Sequence, residues 1–284
     1  MTKQEKLHEL RVFAEQIRVE TLKIIGSLGF GHVGGSMSMV EAMAVVYGEY
    51  MDTDPKDPGK PDRDRFVLSK GHAGPVMYAT LGLKGYYDVK DAYKLNTPGT
   101  DFPSHTDRNK TKGVDLTTGS LGQGMGEAVG AAMAMKLQHM NKHVFVAIGD
   151  GESDEGAVWE AAQFAAHYKL DNLICLVDNN KRQLDGPVDE VMGHGHGIGA
   201  KFLAFGWHVI DLPDGHDIGS IYDAVEEAYL TKGVPTCIIL NTTKGKGATF
   251  AESTGAHSSQ PSKEQWDEAI AAAEARLSAV KAEA

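Results

Sequence analysis

An acidic turn flanked by glycines follows an apolar run near the middle of the chain. In "VFVAIGDGESDEG", residues 144–156, five apolar residues lead into Gly149-Asp150-Gly151 and then into further carboxylates. Glycines at a strand end let backbone N–H groups approach a phosphate, whereas carboxylates repel one. The stretch therefore predicts either a plain tight turn or a site where a cation lies between carboxylate and phosphate.

A second polar strand end follows further along the chain. "LICLVDNN" places one Asp and two Asn, residues 178–180, after an apolar run, and the helical pattern of residues 155–170 separates the two runs. A helix between two strands makes the strands parallel, so their carboxyl ends meet about 4.8 Å apart at one sheet edge. Converging hard oxygen atoms suit Mg²⁺ or Ca²⁺ rather than zinc. The pair predicts a cation site that binds a diphosphate, with a tight turn and a helix cap as the alternative.

The histidines divide into two groups. The chain contains twelve, and a lone histidine is more often a surface or core residue than a catalyst. His32 and His72 differ because each lies in a glycine-rich loop after a regular element, where a sheet edge presents functional side chains. Imidazole suits both hydrogen bonding and proton transfer near neutrality. The tract "MGHGHGIG", with its loop at 193–199, is weak as a metal motif, and we expect a flexible loop there, with a lid as the alternative.

The elements that position these residues alternate between helices and apolar strands. Helices are predicted over residues 4–27, 36–50, 121–138, 155–170 and 217–232. Strands are predicted over residues 65–69, 143–148, 173–178, 207–212 and 235–242. A C-terminal helix is predicted over 262–282, where Ser262 and Gln265 have the spacing of a capping box. This order predicts one doubly wound α/β domain over residues 1–284, with a mainly parallel sheet, helices on both faces and an N-terminal helical segment 4–50.

The composition restricts the function classes. Hydrophobic content of 42% and charged content of 24% over 284 residues are typical of a globular protein, and the net charge of −11 argues against nucleic acid as the main partner. No apolar run of about 18 residues predicts a membrane span, and the polar N-terminus does not resemble a signal peptide. Cys175 and Cys237 lie in apolar strand-like runs, which predicts buried reduced thiols and a cytoplasmic protein.

The two strand ends belong to a longer pattern. The segment "GDGESDEGAVWEAAQFAAHYKLDNLICLVDNN" resembles the thiamine diphosphate-binding signature. Within that superfamily the chain resembles transketolases over residues 5–265, through "GHVGGSMS", "RFVLSKGHAG", "TTGSLGQGMGEA", "FGWHVIDLPDGH" and "TTKGKG". The resemblance implies the thiamine diphosphate-binding fold, with thiamine diphosphate and Mg²⁺ (or Ca²⁺ or Mn²⁺) as cofactors. It also implies a transferase of carbohydrate metabolism, which moves a two-carbon ketol unit from a ketose to an aldose.

The resemblance also assigns roles to individual residues. It implies that Asp150, Asn180 and the backbone carbonyl of Arg182 bind the metal. It implies cofactor contacts at His72, Gly119, Ser120, Leu121, Gly149, Asp150, Gly151, Glu152, Asn180, Lys244 and His257. It implies a catalytic set at the reactive end of the cofactor and around the sugar, formed by His32, His72, His105 and His257. Glu155 is implied in an acidic network that links paired active sites.

The resemblance covers only the first domain of transketolases, which continue through a second and a third. It implies that this chain is the N-terminal subunit of a split transketolase, working with a separate C-terminal subunit in an α2β2 heterotetramer. Three stretches depart from the family pattern, at Val33, in "DFPSHTD" and in "GAHSSQP". These departures lie on the substrate side, so they predict an altered sugar donor or acceptor.

Three other functions remain open from the sequence. The α subunit of a thiamine diphosphate-dependent 2-oxo acid dehydrogenase shares the GDG and Asn-Asn pattern but not "SKGHAG" and "TTGSLGQG" in this form. A non-catalytic partner-binding homologue would not require Asp150, Asn180 and the histidines. A Mg²⁺-dependent phosphohydrolase accounts for the acidic turn but leaves the other motifs unexplained.

Overall fold

One parallel sheet forms the centre of the molecule. The computed structural model describes residues 1–252, 258 and 260–283. Within these residues the strands are β1 Arg65–Leu68, β2 Val144–Gly149, β3 Leu173–Asn179, β4 His208–Leu212 and β5 Thr236–Asn241. They pair in the order β1-β2-β3-β5-β4, and every pair is parallel. The predicted parallel α/β sheet is confirmed.

Helices cover both faces of this sheet. They are α1 Lys3–Leu28, α2 Val33–Met37, α3 Val40–Val45, α4 Gly74–Leu83, α5 Gln123–Leu137, α6 Gly156–His167, α7 Val188–Val191, α8 Ile198–Ala204, α9 Ile218–Leu230, α10 Thr249–Glu252 and α11 Lys263–Lys281. Short 3-10 helices lie at Gly71–Ala73, Val89–Lys94 and Gly151–Asp154, and a π-helix at Val46–Tyr50. None of the helices in the described part of the chain is long and apolar enough to cross a membrane.

The alternation of side chains along the strands separates two apolar cores. Phe145 and Ala147 of β2 belong to the core shared with α1, α3, α4 and α9. Val144, Val146 and Ile148 of the same strand belong to the core shared with α5, α6 and α8. Both faces of β2 are buried because helices cover both sides, which explains why this strand is a continuous apolar run.

Most predicted elements are present, but the helix expected over residues 36–50 is divided. Its place is taken by α2, α3 and the π-helix, and the chain turns between α2 and α3 at Ser38 and Met39. The Ser38 hydroxyl is 3.3 Å from the Gly35 carbonyl and donates to the Asp178 carboxylate at 2.6 Å. A serine that bonds in this way competes with regular helix geometry, so the prediction of one helix was wrong here.

Two local predictions are confirmed. The Ser262 hydroxyl accepts from the Gln265 amide while the Gln265 side chain accepts from the Ser262 amide, which is the predicted capping box. Cys175 and Cys237 are buried, free and opposite each other in the register of β3 and β5. The loops that follow β1, β2, β3 and β5 all lie at the carboxyl edge of the sheet, which therefore collects the predicted site.

Candidate functional site

The two acidic strand ends converge at this edge. Gly149 of β2 is opposite Asp178 of β3, and the Asp150 amide donates to the Asp178 carbonyl at 3.2 Å. A cavity of about 190 Å³ opens beside them. Nine of the predicted site residues line it: His72, Leu121, Gly149, Asp150, Gly151, Glu152, Asn180, Arg182 and Lys244. The predicted convergence of the two strand ends is confirmed.

A larger depression of about 560 Å³ lies elsewhere, beside Arg65 at the amino end of β1. None of the predicted site residues lines it. Its Arg63 and Arg65 share a single carboxylate, that of Asp115. The smaller cavity is the better candidate site because ionisable and glycine residues from four separate loops meet there.

Oxygen atoms suited to a hard cation meet beside the cavity. Asp150 Oδ1 accepts from the Gly151 amide at 2.7 Å, whereas Asp150 Oδ2 is buried without a hydrogen-bond partner. Burial, followed by the charge of Asp178, raises the pKa of Asp150 to about 6. A bound cation would reverse both effects by stabilising the carboxylate. One carboxylate, the Asn180 amide oxygen and the Arg182 carbonyl form a donor set that fits Mg²⁺.

This donor set is not a metal cluster of histidines, cysteines and carboxylates. Within residues 1–252, 258 and 260–283 no three such side chains are grouped to hold a metal. The Asn180 oxygen accepts from the Arg182 amide at 3.2 Å, and the Arg182 carbonyl accepts from Lys244 Nζ at 2.8 Å. These two bonds place the Asn180 oxygen and the Arg182 carbonyl near Lys244, and all three residues line the cavity together with Asp150.

Asp178 organises the surroundings of Asn180. Its fully buried carboxylate accepts from Ser38 at 2.6 Å, from Asn180 Nδ2 at 2.9 Å, from Thr242 at 2.5 Å and from the Lys70 ammonium. Burial alone would raise the pKa of Asp178, but Lys70 and the hydroxyl donors outweigh it and lower that pKa. Because the Asn180 NH2 group is held by Asp178, its oxygen faces the opposite way, toward Arg182.

Two buried ammonium groups give the cavity its positive side. Lys70 Nζ donates to the Gly35 carbonyl at 2.8 Å and pairs with Asp178. Burial lowers the pKa of Lys244 to about 8, although Asp150 and Asp178 act in the opposite direction. The ammonium groups of Lys70 and Lys244 lie beside the carboxylates of Asp150 and Asp178. This combination of charges suits a diphosphate that is bound together with a metal ion.

Glycines keep the floor of the cavity clear. A Cβ on Gly35 would lie 3.2 Å from His72 Nε2, and one on Gly151 would lie 3.0 Å from the Gln183 side chain. Side chains at these two positions would crowd the groups that line the cavity. The backbone of both residues can therefore approach a ligand directly.

Glu152 lines the cavity, and its carboxylate is bound by donors of the chain itself. Its buried carboxylate accepts from Ser69, from the Gly122 amide at 2.8 Å and from the Gly149 amide at 3.1 Å. Burial raises the pKa of Glu152, while these donors act against that shift. The carboxylate thus joins three loops that surround the cavity.

Three imidazole rings meet at one end of the cavity. The ring centroids are 5.4 Å apart for His32 and His72, 5.6 Å for His32 and His105, and 6.5 Å for His72 and His105. Partial burial lowers the pKa of His32, and the neighbouring His105 and Lys244 add to this effect; the surrounding residues partly desolvate the His105 ring and lower its pKa as well, although His105 is more exposed. These two rings are therefore neutral at neutral pH. Gly119, whose φ is +151°, leaves room for His105, since a Cβ there would lie 3.1 Å from the ring.

Other predicted residues lie outside the cavity lining. Ser120 is exposed, and its carbonyl accepts from the Gln123 amide at 3.2 Å. Glu155 is also exposed and lies beside Gly122, where an added Cβ would be 2.8 Å from Glu155 Cβ. His257 lies outside the residues that the structure describes.

Sequence reasoning missed several residues of the cavity: Gly35, Lys70, Gln183, Leu184 and Asp185. Lys70 could have been predicted as a site residue, because it directly precedes Gly71-His72 in the turn after an apolar strand. The three residues at 183–185 could not have been predicted in this way, since they belong to a loop without a motif.

The glycine and histidine tract lies against the acidic turn. His194 Nδ1 is 3.6 Å from Asp154, and Lys201 Nζ is 3.2 Å from the same nitrogen. Gln183 Nε2 donates to Asp154 at 2.6 Å. Asp154 therefore connects the loop after β3 to the turn after β2, while His196 remains exposed.

Comparisons with known proteins agree with this geometry. Residues 10–277 match the family described as transketolase, thiamine diphosphate binding domain. The chain is 49% identical over 264 residues to the 6-deoxy-6-sulfo-D-fructose transketolase subunit SqwG of Clostridium sp. (strain MSTE9), which covers 93% of this chain and 95% of that protein. It is 32% identical over 279 residues to an apulose-4-phosphate transketolase subunit of Phocaeicola vulgatus, covering 98% of both.

Solved structures show the same likeness over a larger protein. Transketolase from Leishmania mexicana superposes with a TM-score of 0.83 at 30% sequence identity, covering 96% of this chain. Transketolase from Campylobacter jejuni gives 0.82 at 28% identity, covering 99% of this chain. The chain spans 45% and 48% of these two proteins, so it corresponds to less than half of each.

Proposed function

Because this chain belongs to the transketolase family and carries its thiamine diphosphate-binding domain, we propose that it is the N-terminal subunit of a two-subunit transketolase. It transfers a two-carbon ketol unit from a ketose to an aldose once a C-terminal subunit completes the site. The observation that carries the proposal is the cavity at the carboxyl edge, where Asp150 and Asn180 meet Lys70 and Lys244.

Asp150, Asn180 and the Arg182 carbonyl are the proposed ligands of Mg²⁺, which Mn²⁺ or Ca²⁺ could replace. The unpartnered Asp150 Oδ2 and the orientation of Asn180 support this set. Thiamine diphosphate supplies the carbanion chemistry that the transfer requires. The Gly151 amide and the Lys244 ammonium are the proposed contacts to its diphosphate, and the remaining predicted contacts are Gly119, Ser120, Leu121, Gly149, Glu152, His72 and His257.

The histidines are proposed to act on the sugar. Neutral imidazoles at His32 and His105 can accept a hydroxyl proton or donate their own, which suits both orientation and proton transfer. His72 lies between this group and the cavity, and His257 completes the proposed catalytic set. Exposed Glu155 is proposed to meet a second copy of the site in the assembly.

A partner chain is supported by apolar side chains exposed around the cavity mouth. Leu184 lines the cavity yet is 70% exposed, and Met192, which follows α7 and whose carbonyl lies 3.5 Å from the Gln183 side chain, is 59% exposed. Large apolar groups beside a binding site are commonly covered by another protein. We propose that they are covered by a C-terminal transketolase subunit, that the assembly is α2β2, and that residues 1–284 form a single domain. The buried free thiols favour a cytoplasmic location.

The donor is proposed to be a ketose with an anionic group at its far end, and 6-deoxy-6-sulfo-D-fructose is the first candidate. The support is the 49% identity to a protein named for that sugar. Removal of two carbons from this six-carbon ketose leaves a four-carbon aldose that keeps the sulfonate.

Calorimetric titration with thiamine diphosphate and Mg²⁺, with and without a candidate C-terminal subunit, tests the binding role. We expect binding that requires Mg²⁺ and is tighter in the pair. No binding in either condition would favour a non-catalytic homologue.

Ketose donors should then be compared with the reconstituted pair. We expect two-carbon transfer by the pair and none at normal rates by the chain alone. Normal transfer by the isolated chain contradicts the proposal of a split enzyme, and a strict preference for xylulose 5-phosphate contradicts the proposed donor.

A further inference from the structure

The loop that carries Lys244 is held from outside the cavity. We call residues 242–247, directly after β5, the Lys244 turn. Thr242 donates to Asp178, and the Gly245 amide donates to the Gly34 carbonyl at 3.1 Å. These bonds fix the start and the middle of the turn from the cavity side.

His216 holds the turn at Thr243, from the opposite side. The Thr243 amide donates to His216 Nε2 at 2.8 Å. A backbone amide can only donate, so Nε2 accepts and the imidazole proton lies on Nδ1. Nδ1 in turn is 3.0 Å from Glu41 Oε2. The ring therefore joins a buried carboxylate to the backbone next to Lys244.

Arg18 holds the other end of the turn through the same carboxylate. Its Nη1 donates to the Lys246 carbonyl at 2.5 Å, and its Nη2 pairs with Glu41. A Cβ on Gly247 would lie 2.8 Å from Arg18 Cδ, so the turn also packs directly on this side chain. Lys244 thus lies between two anchored neighbours.

The network is buried and charged. The side chains of Arg18 and Glu41 are 3% and 8% exposed. Burial alone would raise the pKa of Glu41, but Arg18 and His216 outweigh it and lower that pKa. A buried ion pair contributes little net stability compared with apolar packing, which favours a role in fixing geometry.

We propose that His216, oriented by Glu41 and Arg18, is a positioning residue of the cofactor site that fixes the Lys244 turn. The turn then delivers the Lys244 ammonium to within 2.8 Å of the Arg182 carbonyl, beside the diphosphate position. This inference rests on the proposed function, and it adds residues that lie outside the cavity lining.

Three substitutions of His216 separate its possible contributions. His216→Ala and His216→Asn withdraw the acceptor from the Thr243 amide, whereas the longer amide of His216→Gln can accept from Thr243 and donate to Glu41. His208→Ala is the matched control, because His208 lies on β4 and pairs with Glu227 at 2.7 Å, far from the turn. The affinity for thiamine diphosphate with Mg²⁺, in the presence of the partner, is the measurement.

We expect His216→Ala and His216→Asn to weaken cofactor binding about 10-fold or more, as for other residues that orient a ligating group. His216→Gln should recover most of the affinity, and His208→Ala should bind as the wild type does. Equal losses in the Gln and Ala variants overturn the proposal, as does wild-type affinity in His216→Ala.

A double-mutant cycle distinguishes positioning from general stability. If His216 acts through Lys244, then His216→Ala should change the affinity less than about two-fold in a Lys244→Ala background. The same loss in both backgrounds contradicts the proposal.

Hydrogen exchange of the Thr243 amide gives a readout that needs no cofactor. We expect faster exchange in His216→Ala and Glu41→Gln, and unchanged exchange in His208→Ala. Slow exchange in His216→Ala overturns the proposal. A wild-type chain that binds no cofactor contradicts the proposed function instead, and the exchange rate still decides whether His216 holds the turn.

Discussion

Two parts of the candidate site differ in how firmly this chain holds them: the proposed metal half, formed by Asp150, Asp178 and Asn180, and the histidine half, formed by His32, His72 and His105. In the metal half, Asp178 is fully buried and accepts from four donors, and Asn180 is oriented by one of those bonds. In the histidine half, His32 and His72 are partly exposed and His105 is exposed, with rings 5.4 to 6.5 Å apart. The part of the site that is proposed to bind the cofactor tail is therefore the part that this chain holds more firmly.

The comparison suggests a division of work between subunits. A diphosphate and a cation are common to every reaction of a cofactor, so their site can be rigid. The sugar differs between reactions, and the histidine half is more exposed, which agrees with the proposal that a partner subunit completes it. The departure around His105 falls in this open half, whereas Val33 is buried in the core between α1 and α11.

The largest expected effect contrasts two neighbouring carboxylates. Asp178→Ala leaves the buried Lys70 ammonium without its partner, and breaking a buried pair destabilises a protein by about 3–5 kcal/mol. Asp150→Asn should not destabilise the cation-free chain, because burial disfavours the Asp150 carboxylate. Urea unfolding without Mg²⁺ measures both, and similar losses in the two variants would contradict the contrast.

The next effect concerns the metal. Asp150→Asn should weaken Mg²⁺-dependent binding of thiamine diphosphate about 100-fold, since the neutral amide supplies a poorer ligand for a hard cation. Calorimetric titration at several Mg²⁺ concentrations checks this, and Asp189→Asn on α7, at the surface, serves as the control. An unchanged Mg²⁺ dependence would rule out Asp150 as a ligand.

A smaller effect is expected in the histidine half. His105→Gln should lower kcat/KM for the ketose about 10–100-fold, because general acid–base and hydroxyl contacts are lost there. Its affinity for thiamine diphosphate should stay within about two-fold of the wild type, because the side chain does not line the cavity. A parallel loss of cofactor affinity would show that the two halves are not separable.

The smallest effect is a pH dependence. Burial lowers the pKa of His32 in the folded chain, so the unfolded chain binds more protons near pH 6. Above the unfolded pKa of about 6.5, His32 is neutral in both states and does not affect the free energy of unfolding. As the pH falls below that value, the unfolded chain takes up a proton at His32, and this proton uptake lowers the stability of the folded chain. His32→Gln should therefore lose less stability between pH 7 and pH 5 than the wild type. Melting temperatures across that range measure the difference, and parallel curves would contradict it.

The sequence predicts the convergence of the two acidic strand ends well because its signals are local. The apolar runs before Asp150 and before residues 178–180 predict strands, and parallel pairing follows from the helix between them. Local signals do not predict the end of the helix at Ser38, because the bend there depends on a hydrogen bond to Asp178, which lies 140 positions away in the chain.

Long-range electrostatic partners are what the sequence could not predict. Lys70 and Asp178 are 108 positions apart, and Glu41 and His216 are 175 apart. A single lysine or histidine in a loop has no periodicity, so only the fold shows what it contacts. The contacts on which the proposed role of His216 rests are therefore seen only in the structure, although its motif "PDGH" is visible in the sequence.

The hydrogen bonds of Glu152 limit which loops can be exchanged between related proteins. Its carboxylate binds the Ser69 hydroxyl and the amides of Gly122 and Gly149, which come from three separate motifs. A chimera that replaces one of these loops must keep a donor in the same place, or it leaves a buried acceptor unsatisfied. In loop grafting, we therefore expect "SKGHAG", "TTGSLG" and "GDGE" to require exchange together, whereas His32 and His105 lie outside these three segments and can be changed separately.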